Sequence, residues 1–393
     1  MKIGVLIDRL NVGGVEKIAI EEVRALIEAR HDAHLVVLRR KAVVENAFPD
    51  LLKDVPVIYL DDRLPSIFRF SFGFPLFFFF SLFHLTYPLL LPFKVKRNEF
   101  DYLIVHGTYT IFTAIQLKKR RQIPFSGFVW DPASYLMQRV YKPKIPHLVY
   151  TVLLPIARTL DKHVIRAMNS VLVGGTAHNS FIKQADPDAK IDVVYPSVHP
   201  TQRPTNKDEY VFVMTAWKEG KHPEYLIELA KNLPSLKIKM GGKWIDPDYR
   251  ARFETMLKEA KVTSSIEVLG SLDEQELARL YRKALVVLQT NDDRGFGMPA
   301  LEAAAQGTTF IIPKGQGVCD LFTDGVHGFY TKEKDTKTIV KKLQTLISNP
   351  KMASDMGKKA LKEVKAHYSW KIHAQQLVDI CLLYTSPSPR DRQ

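Results

Sequence analysis

The sequence predicts an α/β protein of two doubly wound domains, each a parallel sheet covered by helices, facing a central cleft. Three observations carry this. Short apolar runs alternate with amphipathic stretches along nearly the whole chain, the pattern of strand–helix–strand units. At 393 residues the chain is too long for one ordinary core. Residues 196–209, rich in Pro, Thr, Asn and charge, separate two such series.

In the first domain, 1–196, strands are expected at 2–7, 33–38, 102–106, 126–130, 170–173 and 192–195. A linker is read over 197–209. The second domain, 210–366, has strands expected at 210–214, 236–240, 266–269, 285–289 and 309–312, with amphipathic helices such as 224–231 and 274–283 between them. Residues 367–381 read as a last helix. Residues 382–393 have no core pattern, read as a disordered tail and are set aside from the functional argument. Open sheets of this kind bind ligands beyond the carboxyl ends of their strands.

Segment 70–93 breaks the alternation. It contains no Asp, Glu, Lys or Arg, and 77–80 is an uninterrupted phenylalanine run. Its length would allow a membrane span, but Pro75, Pro88 and Pro92 divide it, and a span would put halves of one domain on opposite sides of a bilayer. A buried helix is one alternative. An interfacial, partly inserted element is the preferred one, because Arg69 and the Lys94, Lys96 and Arg97 cluster flank it as expected beside anionic headgroups.

The chain carries 56 Lys and Arg against 42 Asp and Glu, a formal charge of +14. Such a surface attracts polyanions. No nucleic-acid module, zinc knuckle or RNP-like aromatic motif is present, so nucleic acid is not an expected partner. Phosphorylated small molecules and an anionic membrane surface are. Two distant cysteines, Cys319 and Cys381, form no disulfide framework or metal cluster and suit a reducing cytoplasm. The opening strand is too short and wrongly flanked for a signal peptide.

Chemistry concentrates at strand ends. The run from Gly295 to Ala303, Gly-Phe-Gly-Met-Pro-Ala-Leu-Glu-Ala, follows an apolar strand and enters a helix near Pro299, where proline is well tolerated. Gly295 and Gly297 let backbone approach a ligand. The helix N-terminus favours an anion. Glu302, one turn in, can accept hydrogen bonds from a diol such as a ribose. Gly13 and Gly14 follow the first strand, where they make either a structural turn or a ligand loop. Lys218 and Lys221 precede a helix after the second domain's first strand. Lys221 is either a solvated lysine or a counter-charge for a diphosphate. Gly241, Gly242 and Gly270 also fall at strand ends.

Together these residues resemble glycosyltransferase family 4, retaining enzymes of the GT-B fold with two Rossmann-like domains. The resemblance covers roughly residues 1–380. Its elements are the Gly-Gly loop, Lys-x-Pro-Glu-x-Leu-Ile-Glu at 221–228, the 295–303 run, and Tyr368-Ser-Trp370 opening a helix that in this fold crosses back to the first domain. It implies that Glu302 holds the nucleotide ribose. It also implies that the backbone of Phe296, Gly297, Met298, Pro299 and Ala300 meets the donor diphosphate and sugar, and that Lys221 offsets phosphate charge. Gly14 would approach the donor from the other domain, and Asp131 would occupy a sugar-contacting or catalytic position. Three positions depart from the family pattern: Arg294 replaces a glutamate, Ala216 an arginine and Trp130 a histidine. Arg294 would then supply positive charge to the donor, or Asp292 or Asp293 the missing carboxylate.

The resemblance implies an enzyme that moves a sugar from a nucleotide-diphosphate donor to a glycan acceptor with no cofactor and no bound metal. The cysteine usage and the basic-flanked apolar segment add a cytoplasmic, membrane-peripheral setting with a lipid-linked acceptor. A nucleotide-sugar epimerase of the same fold and a non-catalytic nucleotide-sugar or lipid-binding relative are the alternatives.

Overall fold

The computed structural model describes residues 1–11, 13–40, 48–68, 75–77, 80–107, 110–130, 132–202, 205–218, 221–290, 295–332 and 335–385. The chain divides into two compact units. Unit 1 is Met1–Pro196 with Trp370–Gln393, and unit 2 is Ser197–Ser369.

Unit 1 contains β1 (Lys2–Ile7), α1 (Gly14–Glu28), β2 (Asp32–Val37), α2 (Pro49–Leu52), β3 (Val57–Tyr59), a small antiparallel pair β4 (Pro75–Phe77) and β5 (Phe80–Ser81), α3 (Leu82–Leu90), β6 (Tyr102–His106), α4 (Thr110–Arg121), β7 (Phe125–Phe128), α5 (Ala133–Leu136), α6 (His147–Ala167), β8 (Val171–Val173), α7 (Asn179–Ala185) and β9 (Ile191–Val193). Its main sheet runs β3-β2-β1-β6-β7-β8-β9, and every pairing is parallel. β1, β6 and β8 are wholly or almost wholly buried runs, as a sheet covered on both faces requires. The strand order proceeds one way from β1 to β3 and the other way from β6 to β9. Right-handed crossovers therefore put α1 on one face and α4 and α6 on the other.

Unit 2 contains β10 (Tyr210–Met214), α8 (Glu224–Asn232), β11 (Lys237–Gly241), α9 (Pro247–Glu259), β12 (Ile266–Gly270), α10 (Glu274–Lys283), β13 (Val286–Leu288), α11 (Met298–Ala305), β14 (Thr309–Pro313), β15 (Phe329–Thr331), α12 (Thr336–Ser348) and α13 (Pro350–His367). Its parallel sheet runs β12-β11-β10-β13-β14-β15. Asp246, Asp273, Asp335 and Asn349 start α9, α10, α12 and α13 by accepting backbone amides, the standard offset for orphan N–H groups. The last helix, α14 (Trp370–Thr385), belongs to unit 1 and packs against α1.

Two readings change. The stretch taken as a linker is hydrogen-bonded along unit 2. Thr201 donates its amide to Ala305 O, Asp208 to Lys283 O, and Lys207 Nζ donates to Arg282 O and Thr308 Oγ1. Burial leads the lowering of the Lys207 ammonium to about 7. Residues 382–385, placed in the tail, belong to α14, which stays helical through Thr385. Segment 70–93 lies partly outside the described residues. Within it, Tyr87, Leu91 and Pro92 are buried against the unit 1 core, while Leu89 and Phe93 are exposed. No helix among the described residues is long and apolar enough to cross a membrane.

Candidate functional site

In a doubly wound sheet the strand order reverses at one point, and the crevice beyond the strands there is the natural ligand site. In unit 2 that point lies between β10 and β13, which pair through Val211–Val286 and Phe212–Val287. The loop after β10 carries Lys218 and Lys221, and the loop after β13 carries Gly295, Phe296 and Gly297. Two segments 74 residues apart, from Lys221 to Gly295, thus leave adjacent strands at the same end of the sheet.

Gly297 is the N-cap of α11 and adopts φ +92°, ψ 43°, the left-handed region. A Cβ there would lie 2.5 Å from Gln316 Oε1 and 2.7 Å from Val318 Cγ1. Only glycine meets both the dihedral and the space. The loop is pinned from behind, as Gly317 N donates to Gly295 O and Val318 N donates to Phe296 O at 2.7 Å. Phe296 is buried, whereas Gly295 is exposed with open space at its Cβ position. Pro299 has no N–H, and Ala300 N donates to Gly297 O. The amides of Gly297 and Met298 have no acceptor among the described residues. The result is a rigid helix N-terminus with donors available to an anion. Gly297→Ala is expected to destabilise the protein by about 1–3 kcal/mol in urea unfolding and to weaken nucleotide binding with it. Unchanged stability would rule out the strain.

Glu302 is half-buried on α11 beside the fully buried Tyr281 of α10. Burial first, then the Glu302 carboxylate, raises the Tyr281 phenol well above its usual range and keeps it a proton donor. Lys218 is exposed and Lys221 half-buried, with Lys221 N donating to Lys218 O at 3.0 Å. The turn is anchored by Trp217, which is fully buried, stacks on Trp244 and donates Nε1–H to Gly241 O. Gly241 and Gly242, at the end of β11, are buried in tight surroundings. A Cβ on Gly242, at φ +111°, would collide with Thr215 O, and one on Gly241 would press on Leu272 and Met214. Gly270 has open space at its Cβ position.

Unit 1 has its own reversal between β1 and β6. Gly13 is extended at the N-cap of α1 and Gly14 begins the helix. Asp8, just past β1, is held by a two-pronged ion pair with buried Arg39. Beneath the loops lies a constellation the sequence did not reveal. Glu22 is fully buried, with Oε2 2.7 Å from His106 Nε2 and Oε1 3.0 Å from His373 Nε2 of α14. Trp130 Nε1 can only donate, so the His106 Nδ1 it meets at 3.3 Å accepts, and His106 Nε2 carries the hydrogen given to Glu22. Tyr195 O can only accept, so His373 Nδ1, 2.8 Å away, donates. Burial pushes the Glu22 carboxyl up, but the two imidazoles outweigh that and hold it at about 2. Glu22 thus accepts from both buried imidazoles, one on each carboxylate oxygen. Trp130 is thereby tied to His106 and stacked on Phe128. Asp131 and Arg294, named from sequence as catalytic candidates, lie outside the described residues, as do Asp292 and Asp293.

Paired doubly wound units with donor-lined strand ends define the GT-B class of α/β proteins. The Glycosyltransferase Family 4 description matches residues 12–202, and the Glycosyl transferases group 1 description matches residues 197–363. The chain belongs to this glycosyltransferase family. The fold is shared with sucrose-phosphate synthase from Thermosynechococcus elongatus, at TM-score 0.77 and 16% identity over 98% of this chain and 100% of that one. It is also shared with Anabaena HepE in complex with UDP and glucose, at TM-score 0.73 and 17% identity over 96% and 98%. A Melioribacter roseus sucrose synthase is 27% identical over 138 residues, 33% of this chain and 17% of that protein. The matched stretches span between 17% and 40% of the first curated relatives' lengths.

Proposed function

We propose that the protein is a retaining glycosyltransferase that moves a sugar from a nucleotide-diphosphate donor to an acceptor hydroxyl on a lipid-linked or cell-envelope glycan. It would work at the cytoplasmic face of a membrane. The observation that carries this is the unit 2 reversal point, where the left-handed Gly297 turn, the amides of Gly297 and Met298 that meet no acceptor among the described residues, and the Lys221 turn leave neighbouring strands. A diphosphate suits those donors, and Glu302 suits the ribose diol. HepE, which shares the fold, is described with UDP and glucose.

In this reading the α11 amides and Lys221 bind the diphosphate and stabilise the charge that grows on it as the glycosidic bond breaks. Retention follows from the family resemblance, and Asp131, Arg294 and Lys218 are the remaining candidates for contact with donor or sugar. The acceptor oxygen loses its proton as the new bond forms, and the nucleoside diphosphate leaves.

Glu302→Ala is expected to weaken nucleotide binding by about 1.5–3 kcal/mol, the scale of a hydrogen bond to a charged group, in calorimetric titration. Unaltered affinity in the folded variant removes the ribose role. Turnover is tested by nucleoside diphosphate release and by the anomeric configuration of the product. Free epimerised sugar without acceptor would refute transfer.

A further inference from the structure

Unit 1 has a polar cleft between α5 with the turn that follows it, α6 and α7. Its volume is about 190 Å³, more than ten times the roughly 10–15 Å³ a single water needs. Ser134, Gln138, Arg158, Lys162, Phe181 and Gln184 line it. Arg158 and Lys162 are exposed, stand one turn apart on α6, and have no ion-pair partner among the described residues. Two cations and two amides surround one opening whose lining residues include no acid, while the Ser134 hydroxyl at its edge is engaged by Asp161.

The surroundings extend this. From 132 to 185 the sequence contains a single acidic residue, Asp161. It is buried, and its carboxylate is taken up by the amides of Ala133 and Ser134 at 2.7 and 2.9 Å. Lys142 and Lys144, just before α6, are exposed. On α6 itself Leu148, Val152 and Ile156 are 77%, 59% and 46% exposed, large values for apolar side chains one turn apart on one stripe. Ile156, Thr159 and Lys162 follow at three-residue steps, so the apolar stripe leads into the cleft. An apolar stripe ending in a cationic, amide-lined pocket fits a lipid that carries a phosphate.

We propose that this cleft binds the phosphate of an anionic membrane lipid, with the Leu148–Val152–Ile156 stripe lying against its hydrocarbon. The inference rests on the reading of the protein as a transferase at a membrane, and it locates the contact on α6 rather than in segment 70–93.

The test is co-sedimentation of the full chain, without donor, with phosphatidylcholine vesicles containing or lacking phosphatidylglycerol. Wild type should bind the anionic vesicles and not the neutral ones. Arg158→Gln with Lys162→Gln should lower the partition coefficient roughly 30-fold, from two basic residues at about 1 kcal/mol each near an anionic surface. Val152→Ser with Ile156→Ser should lower it on the same vesicles, while nucleotide affinity, the fold control, stays unchanged in both variants. Equal vesicle binding by the Arg158/Lys162 variant and wild type would overturn the proposal. So would binding of glycerol 3-phosphate to the cleft by a protein that ignores every vesicle, which would identify a free-phosphate site. Sugar transfer to a water-soluble acceptor without vesicle binding would sink this inference and leave the transferase reading standing. Cleft-dependent vesicle binding without any transfer would do the reverse.

Discussion

Lys221→Ala is expected to lower turnover at saturating donor by about 10²–10³-fold, the effect of removing one preorganised charge-stabilising donor, while donor affinity falls much less. The asymmetry follows from where charge develops. The bound diphosphate already meets the α11 amides, whereas the extra negative charge appears only as the bond to the sugar breaks. Lys221 follows a turn anchored by the buried Trp217, so the loop needs little reorganisation to keep its ammonium in place. Turnover equal to wild type at saturating donor would remove Lys221 from the mechanism. A parallel fall in affinity and turnover would reassign it to ground-state binding.

The second large effect is on stability. Glu22→Ala should destabilise unit 1 by about 2–6 kcal/mol, from two buried imidazole groups left unsatisfied at about 1–3 kcal/mol each, measured by chemical unfolding near neutral pH. The same carboxylate sets an acid limit. Its folded value of about 2 lies below the ordinary 4.5, so between those values the unfolded chain binds the extra proton. Stability therefore rises with pH in that window. The contribution is complete above about pH 4.5 and lost as pH falls toward 2. In Glu22→Gln this part of the acid dependence should vanish. A wild-type acid profile in that variant would show that Glu22 does not govern it.

Much of the fold was legible because buried parallel strands are apolar runs and their helices are amphipathic. β1, β6, β10 and α10 begin and end at the residues expected. Other edges moved by a residue or two, because pairing partners set them. Asp32 is polar yet joins β2 opposite Lys2, and Gln289 leaves β13 while its amide still reaches Ile311 O. β3 and β15 were missed, being three-residue edge strands too short for any periodicity. At the site, the Gly297 turn was readable from its own residues. Its cushion, Val318, lies 21 positions on. Tyr281, beside Glu302, is on a different helix. Glu22 sits mid-helix with nothing local to distinguish it from a surface glutamate. Such contacts are made by tertiary packing and leave no local pattern.

The return of α14 to unit 1 has a consequence for the order of events during synthesis. Glu22 emerges from the ribosome early, but the His373 that completes its pairing follows 351 residues later. At about 5–20 residues per second the interval is roughly 20–70 s. Once β9 ends at Val193 all strands of the first sheet are made, yet until Trp370 onward follows, α1 lacks its covering helix and the Glu22 carboxylate lacks one imidazole. Unit 2 is finished before unit 1 can be. A nascent chain interrupted anywhere before Trp370 would therefore display an open apolar face on its earliest-made half, the kind of surface that chaperones and proteases recognise.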